Sequence, residues 1–233
     1  MAVDRENVRR FYDQVYHCPG RESSRVSGHL RRLARRLGPW QGQKVLDVAC
    51  GQGEWLRSVS ALGAVTTGVD ISAIALQVCR KYLSGAGLYC ASAEQLPLNN
   101  QQFDFVSCLG ALEHFPDPRG ALREMTRVAK PSALFLLLVP NAGFLPRRLG
   151  LYSGTRQAKV REDVRSLREW QDLFESAELR ILYRWRDLHV LSAAWLFVGR
   201  WYQWPLRAAQ ALALPAWPLT WQYQIYHLCK LKP

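Results

Sequence analysis

The sequence predicts an α/β fold, a mostly parallel sheet with helices on both faces. Three observations carry that prediction. Short apolar runs alternate with helical periods between Lys44 and Val139. The first run ends in a glycine turn, Cys50-Gly51-Gln52-Gly53, that opens directly into a helix. An acid closes the next run at Asp70, the spacing expected when an adenosine group is held at the edge of a parallel sheet.

Taken in order, residues 4–17 form a helix with Val8, Phe11, Tyr12 and Val15 roughly on one face, ended by Cys18-Pro19-Gly20. A second helix follows. Leu30, Leu33, Ala34 and Leu37 line one side of it and Arg31, Arg32, Arg35 and Arg36 the other, and Gly38-Pro39 stops it. The Arg face is a solvated surface or rests on phospholipid headgroups. These helices make a cap, 1–39, ahead of the main domain, 40–233.

Strand one spans 44–49, and a helix starts at Glu54. Strand two spans 64–70, and a helix capped near Ser72 runs to about Ser84. Strand three is 88–91 and strand four 103–109. Asp117-Pro118 opens a helix over 118–129, Lys130-Pro131 ends it, and strand five is 133–139. Residues 141–165 form a long connection, and a helix follows at 166–177. Strand six spans 179–187 and a last strand 221–231. The stretch 190–219 is dense in Trp, Leu and Ala, and Pro205 interrupts its helical pattern.

The bulk numbers narrow the classes. With 233 residues, 48% of them hydrophobic, the chain can bury a core and is not a disordered chain. The net charge of +12 suits a solvated basic surface, an acidic membrane face, an anionic substrate or nucleic acid. Six cysteines without paired spacing read as buried thiols in a reducing, cytoplasmic setting, with no metal site. The N-terminus lacks an apolar signal core. No apolar stretch reaches roughly 18 residues, so no spanning helix is expected.

The glycine turn carries the chemistry. Gly51 and Gly53 let the backbone approach a ligand closely. A dinucleotide turn would have a third glycine where this chain has Leu56. Asp47, just before the turn, is awkward for a pyrophosphate. It suits a cofactor with positive charge, such as S-adenosylmethionine with its ammonium and sulfonium. Asp70 is placed to take two ribose hydroxyls.

The stretch Val45-Leu46-Asp47-Val48-Ala49-Cys50-Gly51-Gln52-Gly53 resembles the first motif of class I S-adenosylmethionine-dependent methyltransferases. Gly68-Val69-Asp70-Ile71-Ser72, Ala93-Glu94-Gln95-Leu96-Pro97, Leu112-Glu113-His114-Phe115 and Arg127-Val128-Ala129-Lys130-Pro131 are similar to later motifs in the same order. The likeness covers about residues 40–140 and is greatest to the broad group that includes the ubiquinone and menaquinone methyltransferases. It implies a Rossmann-like, seven-stranded sheet whose last strand is antiparallel. It also implies roles. Asp47, Gly51 and Gly53 would hold the methionine end, Ala49 would also contact the cofactor, Asp70 would hold the ribose, and Ile71, Ala93 and Glu94 the adenine. Leu109 would lie by the sulfonium.

Glu113 and His114 follow strand four, at the edge where such sheets bind ligands, and are the candidate catalytic pair. The bland alternative is a Glu-His turn that packs under the cofactor. Tyr12 and Tyr16 are candidates to fold over the pocket. His29, His189 and His227 read as structural. The segment 141–168 reads as a basic lid, with Asn141, Arg147 and Arg148 as contacts to an anionic acceptor. The insertion 190–219 could wall an apolar pocket, lie in a membrane interface or pack on a partner.

The resulting expectation is methyl transfer to a small, amphiphilic or anionic metabolite. A quinone precursor, a lipid-linked sugar or a specialised metabolite would fit, with peripheral contact at the inner face of a membrane. The competing reading is a nucleic-acid methyltransferase. Against it, the chain lacks an Asp/Asn-Pro-Pro-aromatic motif, shows no appended RNA-binding module and spreads its Lys and Arg along its length. A third reading is a cofactor-binding subunit without turnover in a membrane-bound assembly.

Overall fold

The computed structural model describes Arg10, Asp13 and residues 26–150, 162–188 and 201–232. Its centre is a seven-stranded sheet in the order β3-β2-β1-β4-β5-β7-β6. The strands are β1 (Lys44–Val48), β2 (Val65–Asp70), β3 (Gly87–Cys90), β4 (Phe103–Leu109), β5 (Ala129–Pro140), β6 (Leu179–Arg186) and β7 (Gln224–Leu231). The β1–β2, β2–β3, β1–β4 and β4–β5 pairs are parallel. Only β7 runs against its neighbours, β5 and β6. The chain order reverses between β1 and β4, which opens a crevice at the carboxyl ends of those strands.

The helices are α1 (Gly28–Leu37), α2 (Glu54–Ser60), α3 (Ala73–Tyr82), α4 (Pro118–Val128), α5 (Leu145–Arg148), α6 (Leu167–Glu175) and α7 (Trp204–Ala213). Their starts follow local chemistry. Ser27, Ser72 and Asp117 each accept a first-turn amide through the side chain. Ser166 and Glu169 cap α6 reciprocally.

The sheet buries both faces. On one, Leu46, Val48, Val106 and Leu137 pack against Leu122 and Met125 of α4 and Trp170 and Phe174 of α6. On the other, Val45, Phe105, Leu136 and Leu138 pack against Leu33 and Ala34 of α1 and Trp55 and Val59 of α2. Trp40 sits edge-on to Trp55 and Phe105 and donates its indole N–H to Ala34 O at 2.6 Å. The Ala34 carbonyl also accepts the Gly38 N–H at 3.1 Å, and the Trp40 bond adds a second tie between the end of α1 and the sheet-packed indole. The four Arg of α1 are exposed, opposite its buried stripe.

Two expectations need correction. Strand β5 begins at Ala129, so Lys130-Pro131 lies inside the strand and not between helix and strand. Ala129 pairs with Phe103, a register irregularity follows, and Lys130 pairs with Asp104 at 2.6 Å. Pro131, which cannot donate to a ladder, falls at that irregularity. Pro205 likewise does not interrupt a helix. It is the second residue of α7, where the missing N–H breaks no intrahelical bond.

Apart from Arg10 and Asp13, the helix expected at 4–17 lies outside the described residues, as do residues 151–161 of the lid and 190–200 of the insertion. Among the described residues, no helix is long and apolar enough to cross a membrane.

Candidate active site

The crevice is built by the turn after β1. Ala49, Gly51 and Gly53 all take positive φ, at 60°, 51° and 78°. The chain therefore folds back tightly before α2, with the Gly53 N–H donating to Cys50 O at 2.9 Å. A side chain at Gly53 would meet Cys79 Sγ at 2.4 Å, so α3 closes that turn from behind. Asp70, at the end of β2, fastens the turn from the side. Its Oδ2 accepts the Gly51 amide at 2.7 Å and its Oδ1 accepts the Ser72 amide at 2.8 Å.

Asp47 and Asp70 are both buried. Burial pushes the Asp47 carboxyl up to about 7; the Ser107 hydroxyl, donating to Oδ1 at 2.6 Å, pulls it back and the charge of Asp70 adds to the rise. Burial raises Asp70 to about 6 against the Ser72, Gly51 and Ile71 amides that stabilise its charge, with Asp13 adding to the rise. Asp13 accepts the Ser72 hydroxyl at 2.5 Å, so a third carboxylate reaches the crevice from the N-terminal segment. Buried acids gathered at a glycine turn are short of positive charge. That donor set fits a cationic adenosine cofactor and opposes a pyrophosphate.

The other flank is the segment after β3. Ala93 is buried. Glu94 bonds the Ser92 hydroxyl and accepts the Asp117 amide at 3.4 Å. Leu96 N–H donates to Glu124 at 2.8 Å, and Arg127 donates to the carbonyls of Leu96 and Leu98. Helix α4 therefore holds this segment beside the crevice. Ile71 and Leu109 are half-buried at the ends of β2 and β4.

Beyond Leu109 the chain makes a 3₁₀ turn, Leu112–His114. Glu113 and His114 are both buried, and Glu113 Oε1 lies 3.9 Å from His114 Nε2. Burial, with Glu162 nearby, pushes the Glu113 carboxyl up to about 8. Its Oε2 is buried and has no hydrogen-bond partner among the described residues. The Glu113 carbonyl accepts the Asp163 amide at 2.9 Å, so the returning end of the lid segment is stitched to this turn.

The remaining candidates separate. Asn141 is buried; its amide donates to the carbonyls of Thr220 and Gln222 and its oxygen accepts the Gly143 N–H. The side chain expected to touch an acceptor instead clamps the segment after β5 to the segment before β7, because both amide protons are spent on main chain. Arg147 and Arg148 are exposed on α5. Tyr12 and Tyr16 lie outside the described residues.

Some polar groups were not expected here from the sequence. His29 Nε2 lies 3.1 Å from the Tyr226 hydroxyl and 3.3 Å from Asp187 Oδ1. Tyr226 is paired with Leu138, and Leu138 with Leu109, so this cluster stands in the same row as the end of β4. The pairing of β6 with β7 and the packing of α1 on the sheet bring these residues together, and no local pattern announces them. Ser107 could have been found from its position on β4 opposite Asp47.

Comparison with known proteins fits this geometry. Residues 46–137 match the family model described as a methyltransferase domain. The demethylmenaquinone methyltransferase of Staphylococcus aureus (strain MRSA252) is 31% identical over 147 residues, 60% of each chain. Over these stretches the chain is similar to class I S-adenosylmethionine-dependent methyltransferases. The ubiquinone biosynthesis O-methyltransferase of Klebsiella pneumoniae (subsp. pneumoniae, strain ATCC 700721 / MGH 78578) is 38% identical over 107 residues, 44% of each chain. The chain thus spans 60% or less of the length of these two methyltransferases. A structure of the complex between the Haloferax volcanii Trm112 methyltransferase activator and a methyltransferase shares the fold. Its TM-score is 0.73 at 19% identity, over 97% of this chain and 98% of that one. The matched residues, 46–137, include Asp47, the glycine turn, Asp70, Glu113 and His114.

Proposed function

We propose that the protein moves a methyl group from S-adenosylmethionine to a small, amphiphilic or anionic metabolite. The observation that carries this reading is the pair of buried carboxylates, Asp47 and Asp70, at a glycine turn with positive φ. When bound, the cofactor supplies an electrophilic methyl on a sulfonium. Asp47 would face its ammonium, Asp70 the ribose hydroxyls, and Ile71, Ala93 and Glu94 the adenine. Gly51 and Gly53 keep side chains out of the way. Leu109 sits at the mouth toward the acceptor. In-line transfer needs mainly proximity and orientation, which these rigid strand ends supply.

Glu113 carries its proton at neutral pH, so it serves as a hydrogen-bond donor to an acceptor oxygen. His114 is the group beside it that takes the proton an acceptor loses as it gains the methyl. Arg147 and Arg148, on the segment after β5, would meet an anionic part of the acceptor.

The acceptor's apolar part has a reason to come from a membrane surface. Trp201 is 75% exposed and Leu212 83%, with Tyr202 and Trp204 also exposed. The connection that holds them begins after β6 and returns at Gln224, at the same sheet edge as the end of β5. Trp beside Arg favours a lipid interface. The protein would then sit peripherally on the inner face of a membrane.

Calorimetry with S-adenosylmethionine tests the reading. Micromolar-range binding that Asp70→Ala weakens supports it, and absence of binding by the wild-type protein ends it. Flotation with anionic vesicles tests the membrane contact; a protein that stays soluble at low salt counts against that part alone. Binding to RNA with a steep salt slope would shift the acceptor to nucleic acid.

A further inference from the structure

Residues 91–102 join β3 to β4 without a helix or strand of their own, yet they carry Ala93 and Glu94, the residues proposed to meet the adenine. A wall of that kind keeps its shape through bonds to a neighbouring element. Helix α4 supplies them at both ends. At its N-cap, the Asp117 N–H donates to Glu94 Oε1 at 3.4 Å. In its last turns Glu124 and Arg127 form a bidentate fork, Nε to Oε1 at 2.7 Å and Nη2 to Oε2 at 2.8 Å. Both then reach the segment's main chain. Glu124 Oε2 accepts the Leu96 N–H at 2.8 Å, and Arg127 Nη2 donates to the Leu96 carbonyl at 3.1 Å. Arg127 Nη1 donates to Leu98 O at 2.8 Å and to Asn100 Oδ1 at 2.7 Å. The Arg127 carbonyl takes the Gln101 N–H at 3.0 Å. The guanidinium holds the Glu124 carboxyl below its ordinary range, so the pair is ionised at neutral pH. The two side chains keep 32% and 21% of their exposure, so as an ion pair they add little to stability. Their bonds are spent on one segment instead. Leu96, buried and two residues beyond Glu94, has both its main-chain groups held by this pair.

We propose that Glu124 and Arg127 are positioning residues for adenine recognition: they hold the segment in the register at which Glu94 meets the base, and so set the preference for adenine over other purines. The inference rests on the methyl-transfer reading of the crevice. Both residues act through the main chain of 96–101. Glu94 has room for the adenine amine, because a carboxylate offers about four lone-pair sites and only Ser92 and Asp117 are given as its donors. Hypoxanthine carries a carbonyl where adenine carries that amine, so it would set oxygen against oxygen at Glu94. Discrimination of this kind depends on where the carboxylate stands, and a wall released from α4 loses it.

Calorimetry with S-adenosylhomocysteine and with S-inosylhomocysteine, its counterpart bearing hypoxanthine, measures that preference. The wild type is expected to favour adenine by at least about tenfold. Arg127→Gln should bring the two affinities within about threefold of each other, chiefly by weakening the adenine ligand. Arg127→Lys should fall between, since one ammonium cannot span the fork's acceptors. Glu124→Arg/Arg127→Glu keeps an ion pair on α4 but reverses donor and acceptor toward Leu96 and Leu98. It should lose the preference as Arg127→Gln does, which loss of an ion pair alone would not produce. Arg123→Gln, exposed on the same helix, should keep the wild-type preference. A thermal melt shows which variants are folded; if Arg127→Gln is not, Arg127→Lys carries the test. A wild-type preference retained in folded Arg127→Gln or in the charge-swapped variant overturns the proposal and leaves the methyl-transfer reading standing. So does equal weakening of both ligands, the mark of a purely structural role, and so does a wild type that binds both equally. A wild type that binds neither overturns the methyl-transfer reading, and this proposal with it.

Discussion

Gly51 and Asp70 are joined by a hydrogen bond of 2.7 Å from the glycine amide to Oδ2. It ties the turn after β1 to the end of β2, and Asp70 completes the link by accepting Ser72 N–H on its other oxygen. One carboxylate thus shapes the crevice and is proposed to hold the cofactor's ribose. Asp70→Ala is expected to weaken S-adenosylmethionine binding by about 100-fold or more. It should also destabilise the apo protein by about 1–3 kcal/mol, the usual consequence of leaving buried amides unsatisfied. Calorimetry and urea unfolding measure the two effects separately. Unchanged affinity in a folded variant would remove Asp70 from the site.

Gly53 tolerates no side chain. Its φ of 78° strains any other residue, and a Cβ would lie 2.4 Å from Cys79 Sγ. Gly53→Ala should destabilise by about 2–4 kcal/mol. Adding Cys79→Ala should restore the steric part and leave the backbone part. Equal stabilities of the single and double variants in urea would show that the contact with α3 is irrelevant.

The buried acids give the apo protein a distinctive pH dependence. Asp47 is raised from 3.8 to about 7, so the folded state holds a proton that the unfolded state has lost. That contribution is fully present below about pH 4 and is lost as pH rises through 7. The wild type should therefore lose stability across this window, on the order of 1–3 kcal/mol from Asp47. Asp47→Asn should flatten that component and leave the apo protein relatively more stable at pH 8, while S-adenosylmethionine binding collapses. In the wild type at pH 6, binding of the cationic cofactor should release protons, read by calorimetry in buffers of different ionisation enthalpy.

Glu113 titrates higher, up to about 8, because it is buried. With a methyl acceptor in hand, the rate of the wild type should fall as pH rises through 8, when the carboxyl stops donating. Glu113→Gln should keep most of the neutral-pH rate and lose that alkaline limb. His114→Ala should cost about 100-fold if the imidazole takes the acceptor's proton. A His114→Ala enzyme with wild-type rates would show that positioning alone drives the transfer.

Asn141 binds three main-chain groups from its buried position: Thr220 O, Gln222 O and Gly143 N–H. Asn141→Ala should destabilise by about 2–4 kcal/mol and raise amide exchange in 219–224. Cofactor affinity should change little. A large loss of cofactor binding with normal stability would return Asn141 to the site.

The sheet was legible because its signals are local. Apolar runs of strand length, Ser72 and Asp117 as caps, and a glycine turn before Glu54 all act within a few residues. Strand four is expected and observed at 103–109. The same logic misplaced the start of β5, since Lys130-Pro131 resembles a stop signal and only pairing with β4 draws it into the strand. Pro205 misled for a related reason. Its effect depends on its distance from the helix start, which α7 sets at Trp204.

What the sequence determined by itself is the class of fold and the character of the crevice. The order of runs, the turn Gly51-Gln52-Gly53 and the acids Asp47 and Asp70 are written in short spacings. Tertiary structure alone decided how those acids behave and what joins them. Ser107 reaches Asp47 across a strand pair, Asp13 reaches Ser72 from the N-terminal segment, and Asn141 is consumed by a clamp. His29, Asp187 and Tyr226 meet only because β7 inserts between β5 and β6 under α1. The physical reason is range. Torsion preferences and hydrophobic periodicity act along the chain, whereas burial, proton affinity and hydrogen-bond partnership depend on what distant segments bring alongside.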